Sequence, residues 1–440
     1  MSMPQTDKPI CLVAIDMGYG HLRPAHALSE YLSLPILNAD QEPLARGDER
    51  RQWEKIRHAY ERISRASQRR FWGWPLRMLL DATTSIPEFY PERDLSMPTR
   101  CTRYLEKQIC RGLGHDLTSY LKTNEARLVT TYYAPAIAAD RHGHQDIYCI
   151  VTDSDINRVW APYHNRDSHI TYLVPSQRAR RRLRSYGVKQ DRIIVTGFPL
   201  PDSLVGGPSL GTLKQTLRQR LRRLDTHGVF NQGTRHELVQ LLGGTLQSDL
   251  QPPPAPHLAY AIGGAGAQSD LVDQFLPSLA PLLRAQKLRL TLVAGRRTDV
   301  YAQLQDTVRR HQLEELLGHG LAVLYQPDMD AYFRAFNTLL SEIDMLWTKP
   351  SELTFFGALG LPLILAPPVG VHEHFNRRWA EQSGAGLRQH DPRFAADWIK
   401  DWLKDGTLAA AAWSGFVRMP KFGLYKIAET IAKGSAEAKR

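Results

Sequence analysis

Residues 347–368 read WTKPSELTFFGALGLPLILAPP, and this stretch indicates a helix start held between two buried strands. Ser351 is suited to cap the helix, Thr354 falls in its first turn, and Gly360 is a typical left-handed stop. The backbone N–H groups of residues 351–353 would then point outward with the positive end of the helix dipole, and Lys349 adds a charge beside them. The stretch therefore predicts a site for the phosphate of a nucleotide.

The two halves of the chain repeat one pattern, in which short β-branched runs alternate with helical patterns. The runs are residues 10–15, 128–131, 147–152, 170–174 and 193–196 in the first half, and residues 257–262, 288–294, 322–325, 345–348 and 362–366 in the second. This order predicts parallel sheets with crossover helices. Because 440 residues exceed the ~250–300 over which one core normally grows, we expect an α/β protein of at least two domains.

Other segments form an ordered series with this stretch. Residues 13–28 (VAIDMGYGHLRPAHAL) hold a glycine-rich loop, residues 150–153, 172–176 and 195–199 follow in mid-chain, and residues 261–268 (AIGGAGAQ) open the second half. The series spans most of the chain and resembles the lipid-acceptor branch of the GT-B glycosyltransferases. That branch holds the monogalactosyldiacylglycerol synthases and the peptidoglycan N-acetylglucosaminyl transferase.

The resemblance implies a GT-B fold, with two Rossmann-like domains whose parallel sheets face each other across a cleft. It implies an acceptor-binding domain over residues 1–200, a connector with an insertion over 201–256, a nucleotide-sugar-binding domain over 257–415, and a C-terminal helix within 416–440 that crosses back. The implied activity is inverting transfer of a hexose or N-acetylhexosamine from a UDP-sugar to a membrane-associated lipid acceptor. No cofactor and no metal are expected for it.

Two alternatives stay open. A nucleotide-sugar 2-epimerase shares the architecture and needs no lipid. The second alternative is a noncatalytic nucleotide-sugar-binding protein. It stays open because the resembling families carry a ribose-binding Glu after the Thr-x-x step, and this chain has Gly357 at that position. Glu352, one turn earlier, could replace it.

His21 is the leading candidate for a general base. It follows a glycine-rich loop at the point where a strand ends and a helix begins, so its ring can face a ligand with little bulk around it. Inverting transfer needs a base that takes the proton of the acceptor hydroxyl, and a histidine or a carboxylate suits that role. His21 could instead only fix the loop. Asp153 is the rival base, at the end of a predicted strand, and its alternative role is a helix cap.

A second group of residues is expected to bind the donor. Glycines in residues 263–266 would let the backbone approach a pyrophosphate, although the same run also suits a tight turn. Residues 369–378 resemble the sugar-recognition segment of the same families. The expected donor-binding residues are Gly20, Gly263, Gly264, Ala265, Gly266, Arg296, Gln326, Lys349, Ser351, Glu352, Thr354, His372, Glu373 and Asn376.

Residues 50–91 surround an aromatic and aliphatic cluster with arginine and lysine. Such a composition suits the boundary of a membrane, where basic residues meet lipid phosphates and tryptophan enters the acyl edge. The alternative is an ordinary amphipathic helix packed on its own domain. The resemblance favours docking at an anionic membrane surface, with Arg69, Arg70, Trp72 and Trp74 as the expected contacts.

Composition narrows the remaining choices. The 56 Lys and Arg residues against 45 Asp and Glu give a formal charge of +11, which favours anionic partners. No nucleic-acid module and no Walker-type loop are recognisable, and the His-Glu-His triplet at 372–374 lacks a third metal ligand. The chain carries neither an apolar run of bilayer length nor a signal peptide, so we expect a cytoplasmic protein, peripheral at the inner face of the membrane.

Overall fold

The computed structural model of the protein describes residues 8–56, 85–243, 253–263 and 268–437. The chain divides into two compact units. The first unit comprises residues 1–201, 370–375 and 422–440, and the second comprises residues 202–369 and 376–421.

The first unit is built on a parallel sheet of six strands in the order β2-β1-β3-β4-β5-β6. Its strands are β1 Ile10–Ala14, β2 Ile36–Asn38, β3 Arg127–Thr130, β4 Ile147–Ile150, β5 Ile170–Val174 and β6 Ile193–Val195. Its α-helices are Tyr19–Leu32, Arg100–Ile109, His115–Thr123, Tyr133–Arg141, Gln177–Ser185 and Gly423–Glu437, the last with a kink at Gly434.

Strand β1 shows why these runs form buried parallel strands. Cys11 and Val13 pack into one core, while Leu12, between them, packs into a second core on the other face of the sheet. Because both faces are covered, the strand is apolar throughout rather than alternating. The C-terminal helix contributes to the second core through Leu424 and Ile427, so it belongs to the first unit.

The second unit holds another six-stranded parallel sheet, in the order β12-β11-β10-β7-β8-β9. Its strands are β7 His257–Ala261, β8 Arg289–Gly295, β9 Leu321–Tyr325, β10 Met345–Thr348, β11 Leu363–Leu365 and β12 Gly386–Arg388. Its α-helices are Asp202–Val205, Gly211–Leu224, Val229–Leu242, Leu271–Arg284, Thr298–Arg310, Met329–Glu342, Ala395–Lys404 and Thr407–Arg418. A further helix, Val371–Gln382, begins in residues of the first unit and continues in the second.

Each sheet has a point at which the direction of strand addition reverses. In the first unit, β2 and β3 lie on opposite sides of β1; in the second, β8 and β10 lie on opposite sides of β7. Loops that leave the carboxyl ends of the strands on either side of such a switch point diverge and open a crevice, which is where open α/β sheets bind ligands. The topology therefore marks the loops after β1 and β3, and those after β7 and β10.

The described part of the region expected to be a connector with an insertion contains the helices Asp202–Val205, Gly211–Leu224 and Val229–Leu242, and it packs within the second unit. Arg220 of the Gly211–Leu224 helix is buried and donates to the carbonyl oxygens of Leu340, Ile343, Leu359 and Gly360. Burial lowers the pKa of Arg220 to about 10, so the guanidinium stays charged at neutral pH. The insertion thereby holds the end of the 352–359 helix in place.

Several sequence predictions fall outside the described residues. These are Arg69, Arg70, Trp72 and Trp74 of the expected membrane segment, and Gly264, Ala265 and Gly266 of the glycine loop. In the part of the chain that is described, no helix is both long enough and apolar enough to span a bilayer. The four cysteines are free thiols, and burial raises the pKa of Cys11 to about 12.

Candidate functional site

His21 lies in the first turn of the Tyr19–Leu32 helix, directly after the loop that leaves β1. Its Nδ1 is 2.9 Å from the carbonyl oxygen of Thr131, and 3.2 Å from Oγ1 of Thr152. A carbonyl oxygen can only accept, so Nδ1 carries the hydrogen, and in the neutral ring Nε2 holds the lone pair. Thr131 also donates through Oγ1 to the carbonyl oxygen of His21, at 2.8 Å. The imidazole is therefore fixed in the tautomer that a general base requires.

These contacts come from neighbouring strands. Thr131 follows β3 and Thr152 follows β4, so the carboxyl ends of β1, β3 and β4 converge on one ring. Aromatic side chains complete the surroundings: Tyr132 meets His21 edge-on with 4.8 Å between ring centroids, and Trp160 lies at 6.2 Å. The position is the switch point of the first sheet.

The two aspartates after β4 have different surroundings. Asp153 is half-buried and follows Thr152 directly, so it lies at the same edge of the sheet as His21. Asp155 is fully buried, and its oxygens accept from Arg178 and Arg182, each at 2.7 Å. Asp155 is thus part of a structural ion-pair network, whereas Asp153 stays a candidate for catalysis.

In the second unit, the loops after β7 and β10 meet at Gly263 and Lys349. A Cβ added at Gly263 would clash with Cε of Lys349, so the lysine side chain lies directly over the glycine. This contact is at the switch point of the second sheet. The glycine permits this close approach, and the lysine places a cation where the topology predicts a ligand.

The helix after Lys349 begins and ends as predicted, but its type and its free N–H groups differ. Glu352–Leu359 is a 3₁₀ helix, capped by Ser351 and closed by Gly360 at a φ of 62°. The prediction that the N–H groups of residues 351–353 point outward was wrong for two of the three residues. Ser351 N–H donates to the carbonyl oxygen of Lys349 at 2.8 Å, and Leu353 N–H donates to Oγ of Ser351 at 3.4 Å. The tight cap uses these donors itself.

The other residues of this helix that the sequence singled out have different surroundings. Thr354 is fully buried and donates through Oγ1 to the carbonyl oxygen of Ser351 at 2.8 Å, so its hydroxyl serves the helix start. A Cβ at Gly357 would lie 2.7 Å from Sδ of Met419 and 2.9 Å from Cβ of Ala385. The site of the absent ribose-binding Glu is therefore packed core. Glu352 is buried in the first turn of the same helix.

Arg296 and Gln326 lie along the same edge of the second sheet. Gln326 N–H donates to the carbonyl oxygen of Gly295 at 3.0 Å, which joins the ends of β8 and β9. Arg296 donates through Nε to the carbonyl oxygen of Pro327 at 3.0 Å. Gly263, Arg296, Gln326 and Lys349 thus follow four neighbouring strands at their carboxyl ends.

The remaining expected donor residues lie on helices. His372 is exposed, while Glu373 and Asn376 are buried one turn apart on the Val371–Gln382 helix. Gly20 belongs to the first turn of the Tyr19–Leu32 helix in the first unit, so it is not among the residues that the second sheet brings together.

Two residues that contact His21 were not identified from the sequence. Thr131 and Thr152 are separated from it by 110 and 131 positions, so no local motif joins them. The available signal was their position as the last residues of two predicted strands, 128–131 and 147–152, because the carboxyl ends of parallel strands meet at one edge. Within the described ranges, no group of three or more His, Cys, Asp or Glu side chains is placed to hold a metal ion.

Comparison with known proteins identifies the architecture. No protein-family model and no curated protein sequence matches the chain. The structure of MnaA from S. aureus with UDP is similar over 96% of this chain and 95% of its own, with a TM-score of 0.50 and 10% identity. A UDP-GlcNAc 2-epimerase from Neisseria meningitidis is similar over 98% of this chain and 97% of its own, with a TM-score of 0.49 and 12% identity. MurG from Acinetobacter baumannii is similar over 97% of this chain and 99% of its own, with a TM-score of 0.48 and 12% identity. The two parallel sheets and the first of these similarities confirm the predicted α/β fold: the chain has the Rossmann-like sheets of a GT-B protein.

Proposed function

We propose that this protein is an inverting glycosyltransferase that moves a hexose or an N-acetylhexosamine from a UDP-sugar to a lipid acceptor. The observation that carries the proposal is the geometry of His21, whose ring is held by backbone and side-chain contacts in the tautomer of a general base. The contact of Lys349 with Gly263 supports a separate site for the donor phosphates.

In the proposed reaction, the acceptor hydroxyl oxygen forms a bond to the anomeric carbon of the donor sugar. The bond between that carbon and the phosphate oxygen breaks, and UDP leaves with the electron pair. Nε2 of His21 takes the hydroxyl proton, while Nδ1 keeps its hydrogen bond to the carbonyl oxygen of Thr131. A positioned base of this kind contributes ~10²–10⁴-fold to the rate.

On the donor side, a phosphate is expected to meet the Lys349 ammonium, which lies over Gly263. A donor with uridine diphosphate is supported by the S. aureus protein of similar fold, whose structure was solved with UDP. Buried Glu352 is proposed for the ribose, because packing around Gly357 excludes a carboxylate there.

A lipid acceptor and docking at an anionic membrane are proposed from the resemblance of residues 50–91 and from the net charge of +11. The direct test is to incubate the protein with lipid extracts and a mixture of nucleotide sugars, and to analyse the products by mass spectrometry. We expect a lipid whose mass increases by one hexose or N-acetylhexosamine residue, and no such product from the His21→Ala variant.

Other outcomes would replace the proposal. A sugar that is changed but still attached to the nucleotide would indicate a 2-epimerase. Donor binding without any product over a broad acceptor panel would indicate a noncatalytic binding protein. Transfer to a soluble acceptor alone would support the transferase activity and contradict the lipid acceptor.

A further inference from the structure

A cavity of about 850 Å³ lies in the first unit, between the Gln177–Ser185 helix and residues 88–95. Arg180, Arg181 and Arg184 line its helix wall, and Gln190 contributes beyond the end of the helix. The volume falls within the ~300–1,000 Å³ of small-molecule sites. We call this space the arginine pocket.

The arginine pocket is distinct from the surroundings of His21. The Gln177–Ser185 helix starts after β5 at the carboxyl edge of the sheet, where Ser176 caps it, and the chain then returns to the amino end of β6. Ser185 and Gln190, which line the pocket, belong to that returning part. The pocket therefore runs along the helix from Gln177 to its end and extends toward the amino edge of the sheet, and His21 is not among its lining residues.

Several arginines of this helix already have carboxylate partners. Arg178 and Arg182 both donate to Asp155, which is fully buried. Arg181 donates to Oε1 of Glu92 at 3.2 Å, across the pocket. Arg181 thus joins the helix to the facing segment, whereas Arg178 and Arg182 join it to the loop after β4.

Arg180 and Arg184 differ from them. In the part of the chain that the structure describes, neither has a carboxylate within ion-pair distance, and Nε of Arg180 is buried without a hydrogen-bond partner. Their spacing of four residues places them on one face of the helix. Guanidinium groups that line a pocket without a carboxylate partner can bind an oxyanion through charge-assisted hydrogen bonds.

The facing wall carries the carboxylates of Glu88, Glu92 and Asp94, together with Arg93. The ring of Phe89 packs on the guanidinium groups of Arg181 and Arg182, at 4.4 and 4.1 Å from the ring centroid, which fixes the width of the pocket. Glu88 and Asp94 also line the cavity. Carboxylates there would repel a ligand that carries only negative charge, but they can accept hydrogen bonds from hydroxyl groups.

We propose that the arginine pocket binds the phosphate ester of a polyol, with the phosphate between Arg180 and Arg184 and the hydroxyl groups on the facing wall. A soluble sugar phosphate and the phosphoglycerol headgroup of a lipid share this chemistry. The site does not depend on the proposed transferase activity, because none of its lining residues is His21 or a residue that contacts His21.

The test is calorimetric titration of the full-length protein with glycerol 3-phosphate and, as a neutral comparison, glycerol. We expect glycerol 3-phosphate to bind, glycerol not to bind, and Arg180→Gln/Arg184→Gln to weaken the phosphate ester at least tenfold. The matched control is Arg100→Gln/Arg103→Gln, which removes two exposed arginines of the same unit that do not line the pocket and should change the affinity less than twofold. Gln190→Glu adds a negative charge to the pocket and should also weaken binding without removing either arginine.

The source of the phosphate is decided by a second arm with vesicles of phosphatidylcholine, with and without phosphatidylglycerol. Cosedimentation that needs phosphatidylglycerol and is lost in Arg180→Gln/Arg184→Gln, but not in the control, supports a lipid headgroup; binding of glycerol 3-phosphate alone supports a soluble ester. The proposal is overturned if glycerol 3-phosphate fails to bind in the millimolar range. It is also overturned if the pocket variant and the control lose affinity equally, or if only Lys349→Met abolishes binding.

Discussion

The switch points of the two sheets are equivalent in topology and different in chemistry. In the first unit, the loops after β1, β3 and β4 hold one imidazole through oxygens of Thr131 and Thr152. In the second unit, the loops after β7 and β10 bring a lysine over a glycine, beside the start of a short helix. The same strand arrangement thus supplies a group that can move a proton in one unit and a group that can hold an anion in the other. Substitutions at the two positions should therefore have separable effects.

The largest effect is expected for His21→Ala. Loss of a positioned base should lower kcat by ~10²–10⁴-fold. UDP affinity should stay within about threefold, because a base acts on the transition state rather than on the bound nucleotide. Steady-state kinetics with the donor identified by mass spectrometry, together with UDP titration, would measure both quantities.

Asp153→Asn is the competing variant for His21→Ala, since Asp153 is the rival candidate base at the same edge of the same sheet. If His21→Ala keeps near-normal turnover while Asp153→Asn abolishes it, the two roles are exchanged.

Acid should also distinguish the two units. Strand β7 begins with buried His257, where the equivalent strand β1 begins with Ile10. Burial, with Arg289 and Arg223 nearby, lowers the pKa of His257 to about 4. Because this lies below the unfolded-state value of about 6.5, the unfolded state binds more protons between the two values. The stabilisation is complete above pH ~6.5 and is lost as the pH falls toward 4, on the order of 3 kcal/mol in total.

Hydrogen exchange corrected for intrinsic amide rates would show this difference. Protection of β7 should decline more steeply than that of β1 between pH 7 and pH 4.5, and His257→Gln should flatten the decline. His115→Gln, at an exposed position of the first unit, should leave the profile of β7 unchanged. Equal declines in both strands of the parent protein would argue against a specific role of His257.

Lys349→Met should lower the affinity for UDP more than it lowers turnover, which is the reverse of the effect expected for His21→Ala. Removing the ammonium while keeping the length of the side chain should weaken UDP on the order of tenfold, since one charge-assisted contact is lost. Turnover at saturating donor should change much less. Lys287→Met, an exposed position in the same unit with the same change in charge, is the control for titration. Equal weakening in both variants would point to net charge rather than to a contact.

The smallest effect is expected for Gly263→Ala. The added methyl group would clash with Cε of Lys349, which is part of a flexible side chain and can shift. We expect UDP to weaken a few-fold, without loss of fold by circular dichroism. In the double variant with Lys349→Met, the effect of Gly263→Ala should vanish, because the clash is removed. A persisting effect would mean that Gly263 acts through the backbone.

Much of the fold could be predicted from the sequence, because long apolar runs leave little choice for parallel strands buried on both faces. Two strands were not predicted from the sequence: β2 Ile36–Asn38 and β12 Gly386–Arg388. Each is three residues long and lies at the edge of its sheet. An edge strand of that length needs little apolar sequence, so its signal is weak.

The candidate sites could be predicted only where one local segment carries them. His21 and Lys349 stand in motifs, but the partners of His21 come from strands more than a hundred residues away. The tertiary packing around Gly357 was equally out of reach, since Met419 and Ala385 arrive from later elements. The prediction of outward N–H groups was wrong for a local reason. At the start of the tight 3₁₀ helix, backbone donors bond to nearby oxygens of the same segment.

The most direct test of the account is hydrogen–deuterium exchange of the full-length protein with and without UDP. If the switch point of the second sheet binds the donor, UDP should slow exchange in residues 349–354 and in the peptide that contains Gly263, while the peptides around His21 change little. Protection confined to the first unit would contradict the assignment of the donor to Lys349 and Gly263.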